Sequence, residues 1–136
     1  REDSVLEAAK LMRKYHVGDV IVVEQRGDEC MPVGILTDRD IVVELVAREV
    51  DAATVLVGDA MSNELLTVNE NEQLMDLVQK MQGKAVRRVP VVDANGALVG
   101  IVTVDDLIDL IAEQLTSLVS LVQREQHREQ SNRVVE

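Results

Sequence analysis

The residues best suited to chemistry form two Thr-x-x-Asp motifs, one in each half of the chain. The first contains Thr37 and Asp40, and the second contains Thr103 and Asp106. At this spacing the two side chains can cap the start of a helix, where the helix dipole also favours a carboxylate. The same groups can bind a ligand, because free helix N–H groups attract phosphate and a carboxylate accepts hydrogen bonds from sugar hydroxyls. The motifs therefore predict helix caps, ligand contacts, or both.

The elements around the two motifs form an internal repeat. Apolar residues at helical spacing over 5–12 correspond to those over 74–81, which predicts an amphipathic helix in each half. A β-branched run follows each helix, at 20–23 and 89–92, and a turn then leads to a second run at 33–36 or 98–102. Each half is therefore predicted to run helix, strand, hairpin, strand, helix.

A further strand is predicted at 65–68, where it introduces the second half. Its equivalent in the first half would precede Ser4, where few residues remain. We therefore expect the N-terminal strand of the first half to be truncated or missing. Because each half is too small to bury a core by itself, the two halves should pack together.

Three segments carry a resemblance to a known family. Residues 34–41 read Gly-Ile-Leu-Thr-Asp-Arg-Asp-Ile, residues 100–107 read Gly-Ile-Val-Thr-Val-Asp-Asp-Leu, and residues 88–93 read Arg-Val-Pro-Val-Val-Asp. Up to about Leu110 the chain resembles the tandem CBS (cystathionine β-synthase) domain pair, or Bateman module, of the stand-alone type. The resemblance implies an α+β fold of two repeats related by pseudo-twofold symmetry, each a small sheet with two helices. The expected divisions are 1–58, 59–115, and a C-terminal helix extension with a frayed tail over 116–136.

The resemblance also implies a function. Such pairs bind adenosine-containing nucleotides in clefts between the repeats, with the Asp on the ribose and the Thr near the sugar or phosphate. The expected ligand is AMP, ADP, ATP or another adenosyl compound such as NAD or S-adenosylmethionine, and no cofactor is required. Occupancy would be transmitted through a homodimer or an unknown protein partner, in a regulatory role in signal transduction. The alternative is a structural interaction module without a functional ligand site.

The two candidate sites differ in charge. Arg87 and Arg88 precede the second-half strand and supply planar, permanently charged donors suited to phosphate. At the aligned positions the first half has Gly18 and Asp19. Since Asp19 would repel a phosphate, the first site is expected to be empty, to hold a nucleoside, or to be served by Arg39.

The adenine is expected to lie in an aliphatic slot, because the chain has no Phe or Trp and its single Tyr is placed on a helix. Wall candidates are Ile21 and Val57 for one site, and Leu66, Val89 and Ile101 for the other, although such residues are by default core. Backbone groups near Thr67 could read the base edge. The complete set of candidate ligand-binding residues is Ile21, Thr37, Arg39, Asp40, Val57, Leu66, Thr67, Arg87, Arg88, Val89, Pro90, Ile101, Thr103 and Asp106.

Composition narrows the function classes further. The chain has 136 residues, 46% hydrophobic and 29% charged, with 14 Lys and Arg against 25 Asp and Glu for a net charge of −11. This charge repels nucleic acid and anionic membranes, and the lack of a spanning or signal segment leads us to expect a soluble cytoplasmic protein. One cysteine, Cys30, excludes an internal disulfide, and the sequence shows no metal-ligand cluster. No catalytic motif is present, so we expect no enzyme activity.

The C-terminal segment departs from the repeat. Ile108, Ile111, Leu115, Leu118 and Val122 follow spacings of 3, 4, 3 and 4, which is the rhythm of a helix seam. Ile108 and Ile111 could lie on the module's own core. Leu118 and Val122 are expected to meet the same helix of a second subunit, and fraying is expected from Ser131.

Overall fold

The computed structural model of the chain describes residues 1–135, with side chains through residue 133. Its elements follow in the order α1 (Val5–Tyr15), β1 (Asp19–Arg26), β2 (Glu29–Thr37), α2 (Asp38–Asp40), a π-helix (Ile41–Val46), α3 (Val57–Ala60), β3 (Val68–Asn69), α4 (Leu74–Lys84), β4 (Arg88–Val92), β5 (Leu98–Thr103) and α5 (Val104–Val135). The chain divides into two compact units, Arg1–Ile101 and a second that begins at Val102. The predicted α+β class and the helix, strand, hairpin, strand, helix order are confirmed.

The two repeats share a backbone detail at the end of their first helix. His16 and Ala85, which follow α1 and α4, both adopt the left-handed conformation, with φ of 54° and 52°. A left-handed residue ends a helix because its N–H turns back to a carbonyl of the last turn; that of His16 bonds Met12. The chain is thus redirected in the same way into β1 and β4.

The sheets of the two repeats differ. Strands β1 and β2 form a two-stranded antiparallel sheet, with Asp19 opposite Thr37 and a bulge at Val22 and Val23. Strands β3, β4 and β5 form a three-stranded sheet in which β3 is parallel to β4, with Val68 opposite Val91. The sheet of the first repeat thus has one strand fewer than that of the second.

The introducing strand is shorter than predicted. Only Val68 and Asn69 pair with β4, so the predicted strand over 65–68 is wrong in its bounds. Leu65 N–H instead bonds Asn63 C=O in a local turn. This leaves residues 65–67 outside the sheet.

The first repeat has its core between α1 and the β1–β2 hairpin. Val5, Ala8 and Met12, at helical spacing, form the buried face of α1. They cluster with residues from the strands, the π-helix and the segment after it, namely Val22, Leu36, Leu45, Val57 and Met61. Val57 and Gly58 donate backbone hydrogen bonds to the carbonyls of Asp3 and Arg1, which holds the N-terminal residues on this core.

The helix that follows the first Thr-x-x-Asp motif is not a regular α-helix. After the three residues of α2 it continues as a six-residue π-helix, and Ala47 N–H bonds Val42 C=O, five residues back, at 2.9 Å. π-Helical turns are rare and are found disproportionately at functional sites. The chain then reverses at Glu49, a residue with φ of 56°.

The predicted C-terminal helix extension is confirmed as α5. Its backbone is helical through Val135, whereas the sequence predicts fraying from Ser131; Glu136 lies outside the described residues. Ile108 and Ile111 are 58% and 49% exposed, which contradicts the alternative that they lie on the core, whereas Leu107 is buried. Among residues 1–135, no helix combines the length and the apolar character that crossing a bilayer requires.

Candidate functional site

The first Thr-x-x-Asp motif forms a reciprocal pair of hydrogen bonds where β2 passes into α2. Asp40 N–H donates to Thr37 Oγ1 at 3.1 Å, and Thr37 N–H donates to Asp40 Oδ2 at 3.0 Å. Extended backbone at Thr37, with φ −107° and ψ 159°, turns its hydroxyl toward the first helical turn. Both side chains are half-buried. The cap that the spacing predicts is present.

The second motif repeats this geometry between β5 and α5. Asp106 N–H donates to Thr103 Oγ1 and Thr103 N–H donates to Asp106 Oδ2, both at 3.1 Å. Each cap uses one carboxylate oxygen, so Oδ1 can accept another bond, and each Thr hydroxyl can still donate its proton. The capped motif therefore keeps the polar groups needed to contact a sugar.

The surroundings of the first motif are acidic. Asp38 N–H bonds Gly18 C=O at 2.8 Å, and a Cβ added to Gly18 would lie 3.1 Å from Asp38 Oδ2. Asp19, the next residue, is opposite Thr37 in the β-ladder. Arg39 is exposed. Three carboxylates thus lie on or beside this motif.

The charge of Asp19 is balanced from the second repeat. Arg88 Nε donates to Asp19 Oδ1 at 2.5 Å, and the two side chains are 25% and 18% exposed. The structure therefore brings Arg88 to the start of the first-repeat hairpin. Arg87, the residue before Arg88, is exposed.

Two of the predicted wall residues, Ile21 and Val57, line one cavity. It has a volume of about 210 Å³ and lies among the N-terminal residues, α1 and β1. Val20, Val22 and Val23 contribute further apolar surface. The Thr37 and Asp40 side chains do not line this cavity. The structure therefore does not bring the predicted wall residues of the first site together with its Thr-x-x-Asp motif.

Leu66 and Thr67 line a second cavity, of about 560 Å³. It lies in the first compact unit, between the segment before β3 and the C-terminal end of α4. Lys84 and Val86 also line it, and the sequence-based reasoning missed both. No local sequence pattern marks them, because they reach the cavity through the packing of segments that are distant in the chain. The cavity combines aliphatic walls with the Lys84 ammonium group, the Glu64 carboxylate and the Ser62 hydroxyl.

Comparison with known proteins shows the family. The CBS domain profile matches residues 1–47 and 57–113, once for each repeat. The chain belongs to the CBS domain family. The CBS domain-containing protein YhcV of Bacillus subtilis is 43% identical over 104 residues, which cover 76% of this chain and 70% of YhcV.

Solved structures agree with this assignment of the CBS pair. A proposed signal-transduction protein with CBS domains from Burkholderia ambifaria has a TM-score of 0.69 at 30% identity, covering 83% of this chain and 80% of its own. The CBS domain pair of protein MJ0100, solved with 5′-methylthioadenosine and S-adenosyl-L-methionine, has a TM-score of 0.66 at 30% identity, covering 82% and 83%. The CBS pair described here spans only about half the length of some curated relatives, 54% and 55% for two of them.

The other predicted site residues of the CBS pair differ in accessibility. Val89 is 0% exposed and Pro90 is fully buried, so neither side chain is accessible at the surface. Ile101, in contrast, is 41% exposed on β5. Within the described part of the chain, no three His, Cys, Asp or Glu residues are placed to hold a metal ion.

Proposed function

We propose that this CBS pair is a regulatory module that binds adenosine-containing nucleotides through its two Thr-x-x-Asp motifs. The observation that carries the proposal is that the reciprocal Thr and Asp bonds occur twice, with lengths that agree within 0.1 Å. In each motif the free carboxylate oxygen accepts a hydrogen bond from a ribose hydroxyl. The MJ0100 pair, similar over most of this chain, holds two adenosyl compounds, which supports this ligand class.

We propose the cavity beside Leu66 and Thr67 as a place for adenine. Its walls include Leu65, Leu66 and Val86, which offer aliphatic surface to the faces of a purine. Tyr15, the chain's single aromatic residue, is 63% exposed on α1 and contacts Lys14, so an aromatic stack is not part of the proposal. The base edge is read by polar backbone groups near Thr67, which lies outside the sheet.

The phosphate is proposed to meet cations of the second repeat. Lys84 lines the cavity with Leu66, and Arg87 is exposed two residues before the buried Val89. Arg88 was also a candidate, but its guanidinium is engaged by Asp19. We assign phosphate preference to Arg87 and Lys84 first because both side chains are exposed, whereas Arg88 is half-buried. The first motif is proposed to favour a nucleoside over a nucleotide, because the first repeat has Gly18 where the second has Arg87.

The module's output is proposed to be a change in association. CBS pairs are generally regulatory, and we propose a homodimer whose contacts respond to ligand occupancy. The alternative is a purely structural interaction module. It is favoured by the fact that helix capping by itself accounts for the bonds of Thr103 and Asp106.

Calorimetric titration tests the proposal. The ligands are adenosine, AMP, ADP, ATP, NAD and S-adenosylmethionine, with GMP as the base control. We expect saturable binding of at least one adenosine compound and weaker binding of GMP. Binding of none of the six would favour the structural module, and conversion of the ligand during incubation would instead indicate an enzyme.

A further inference from the structure

Helix α5 carries an exposed apolar face that continues beyond the second repeat. Eight of its residues between 108 and 122 are between 40% and 61% exposed, namely Ile108, Leu110, Ile111, Leu115, Leu118, Val119, Leu121 and Val122. Five of them form the a and d positions of two heptads, and Val119 and Leu121 widen the stripe. Such a face is stable in water only when another surface covers it.

Charge along α5 is divided between its two ends. Residues 104–122 contain four carboxylates, from Asp105, Asp106, Asp109 and Glu113, and no Lys or Arg. Residues 123–136 contain three arginines, Arg124, Arg128 and Arg133, and three glutamates, Glu125, Glu129 and Glu136. The first part is therefore strongly acidic, whereas the last part has no net charge and carries all the arginines of residues 104–136. This asymmetry complements itself when two copies of the helix run in opposite directions.

The C-terminal end of the seam disfavours a parallel arrangement of the two helices. Continuing the heptad from Val122 places Glu125 at d and Glu129 at a. In a parallel, in-register pair each of these carboxylates would face its own copy across the seam, which is destabilising. An antiparallel pair avoids both repulsions, because the C-terminal end of each helix then lies beside the N-terminal end of the other.

We infer that α5 pairs antiparallel with α5 of a second copy of this chain. This inference rests on the homodimer proposed above and specifies one of its contacts. When Leu115 lies opposite Leu118 of the second copy, the apolar stripes overlap from Ile111 to Val122. The same register brings Arg124 level with Asp109 of the second copy, and Glu125 opposite Ile108 rather than another carboxylate. Each charge pairing occurs twice in the twofold dimer.

Disulfide crosslinking of the full chain tests the direction. Cys30 is first replaced, as Cys30→Ser, so that introduced cysteines are the only thiols. Ile108→Cys and Glu125→Cys are then made separately, one of them with a mass tag, and circular dichroism confirms that each folds. The two proteins are oxidised alone and as a mixture. We expect the mixture to form a disulfide-linked dimer between the two variants, and neither protein to form one alone.

Each other outcome overturns the inference in a recognisable way. A linked dimer of Glu125→Cys alone would show a parallel pair. If light scattering shows a dimer but no sample forms a disulfide, the subunits contact each other through a surface other than α5. The proposed homodimer would then still hold, but the α5 pairing would be wrong. If light scattering shows a monomer at micromolar concentration, both the α5 pairing and the homodimer are wrong. The apolar face of α5 would then be covered by a different protein. Nucleotide titration of the same samples reports on ligand binding independently.

Discussion

Asp19 and Arg88 occupy equivalent positions of the two repeats and form an ion pair with each other. They are 69 residues apart in the chain, and 2.5 Å separates Asp19 Oδ1 from Arg88 Nε. Each is the first residue of the strand after its repeat's first helix. The two repeats are therefore joined by residues of opposite charge at equivalent positions. If the repeats were identical in sequence, these positions would carry two like charges instead.

This ion pair is expected to stabilise the fold. Replacing either partner, by Asp19→Ala or Arg88→Ala, leaves a partly buried charge without its partner and should lower the free energy of unfolding by about 1.5 to 3 kcal/mol. The double substitution should cost less than the sum of the two. Urea unfolding measures all three, and Glu24→Ala, which breaks an exposed ion pair with Arg26, is the control with a smaller effect. Strict additivity of the two losses would contradict the assignment.

Gly34 and Gly100 begin the two copies of the Gly-x-x-Thr-x-x-Asp motif, yet their surroundings differ. A Cβ on Gly34 would lie 2.6 Å from Met61 Sδ and 2.7 Å from the Ser62 carbonyl oxygen, whereas one on Gly100 meets no described atom within 4 Å. The Ser62 backbone cannot move easily, because Ile35 and Ser62 exchange two hydrogen bonds. Gly34→Ala should therefore cost about 1 to 3 kcal/mol of unfolding free energy.

The matched control for that substitution is Gly100→Ala, which should change stability far less. Thermal unfolding followed by circular dichroism compares the two proteins. Equal losses would show that the motif glycine is required for strand backbone conformation rather than for close approach.

Asp106 is expected to contribute to ligand affinity beyond its role as a cap. Asp106→Ala should weaken nucleotide binding by roughly 10 to 100-fold, because a charged hydrogen-bond acceptor is lost. Asp106→Asn keeps an oxygen for Thr103 N–H, so it should retain stability and still weaken binding. Asp76→Ala, which removes a first-turn carboxylate from α4, is the control.

Calorimetry and thermal unfolding together separate the two roles of Asp106. If Asp106→Asn binds like the unchanged protein, the residue is a cap and nothing more. If Asp106→Ala retains affinity while Asp40→Ala abolishes it, the first repeat holds the ligand.

Arg87 is expected to favour phosphorylated ligands. Arg87→Ala should lower the ratio of AMP affinity to adenosine affinity, and added salt should reduce that ratio in the unchanged protein. Arg88→Ala should alter the ratio less, since its guanidinium is bound to Asp19. Titrations with AMP and adenosine at two salt concentrations measure these ratios. An unchanged ratio in both variants would place both arginines on the solvated surface.

Leu118 and Val122 are expected to contribute to self-association. Leu118→Glu with Val122→Glu puts charges into the proposed seam and should weaken or break the dimer while the repeats stay folded. Ser120→Glu with Gln123→Glu adds the same charge on the polar side of α5 and should leave the dimer intact. Light scattering at low micromolar concentration decides between them. An undiminished dimer of the first variant would show that α5 is not a principal contact.

Local features of this protein are determined by its sequence. The caps at Thr37 with Asp40 and at Thr103 with Asp106 were predictable, because each joins groups only three residues apart. The buried face of α1 follows from the spacing of Val5, Ala8 and Met12 for the same reason. The repeat itself could be recognised because both halves carry these local patterns in one order.

Relations between distant segments were decided only by the tertiary structure. The sequence shows that Asp19 and Arg88 are aligned, but not that they meet, since an alignment carries no distance. The difference between Gly34 and Gly100 depends on Met61 and Ser62 returning to β2 after the π-helix and the reversal at Glu49. Lys84 and Leu66 line the same cavity because the segments that carry them pack together. No local sequence pattern relates these two segments. Such contacts depend on how whole elements pack, and residue spacing within one element cannot encode that.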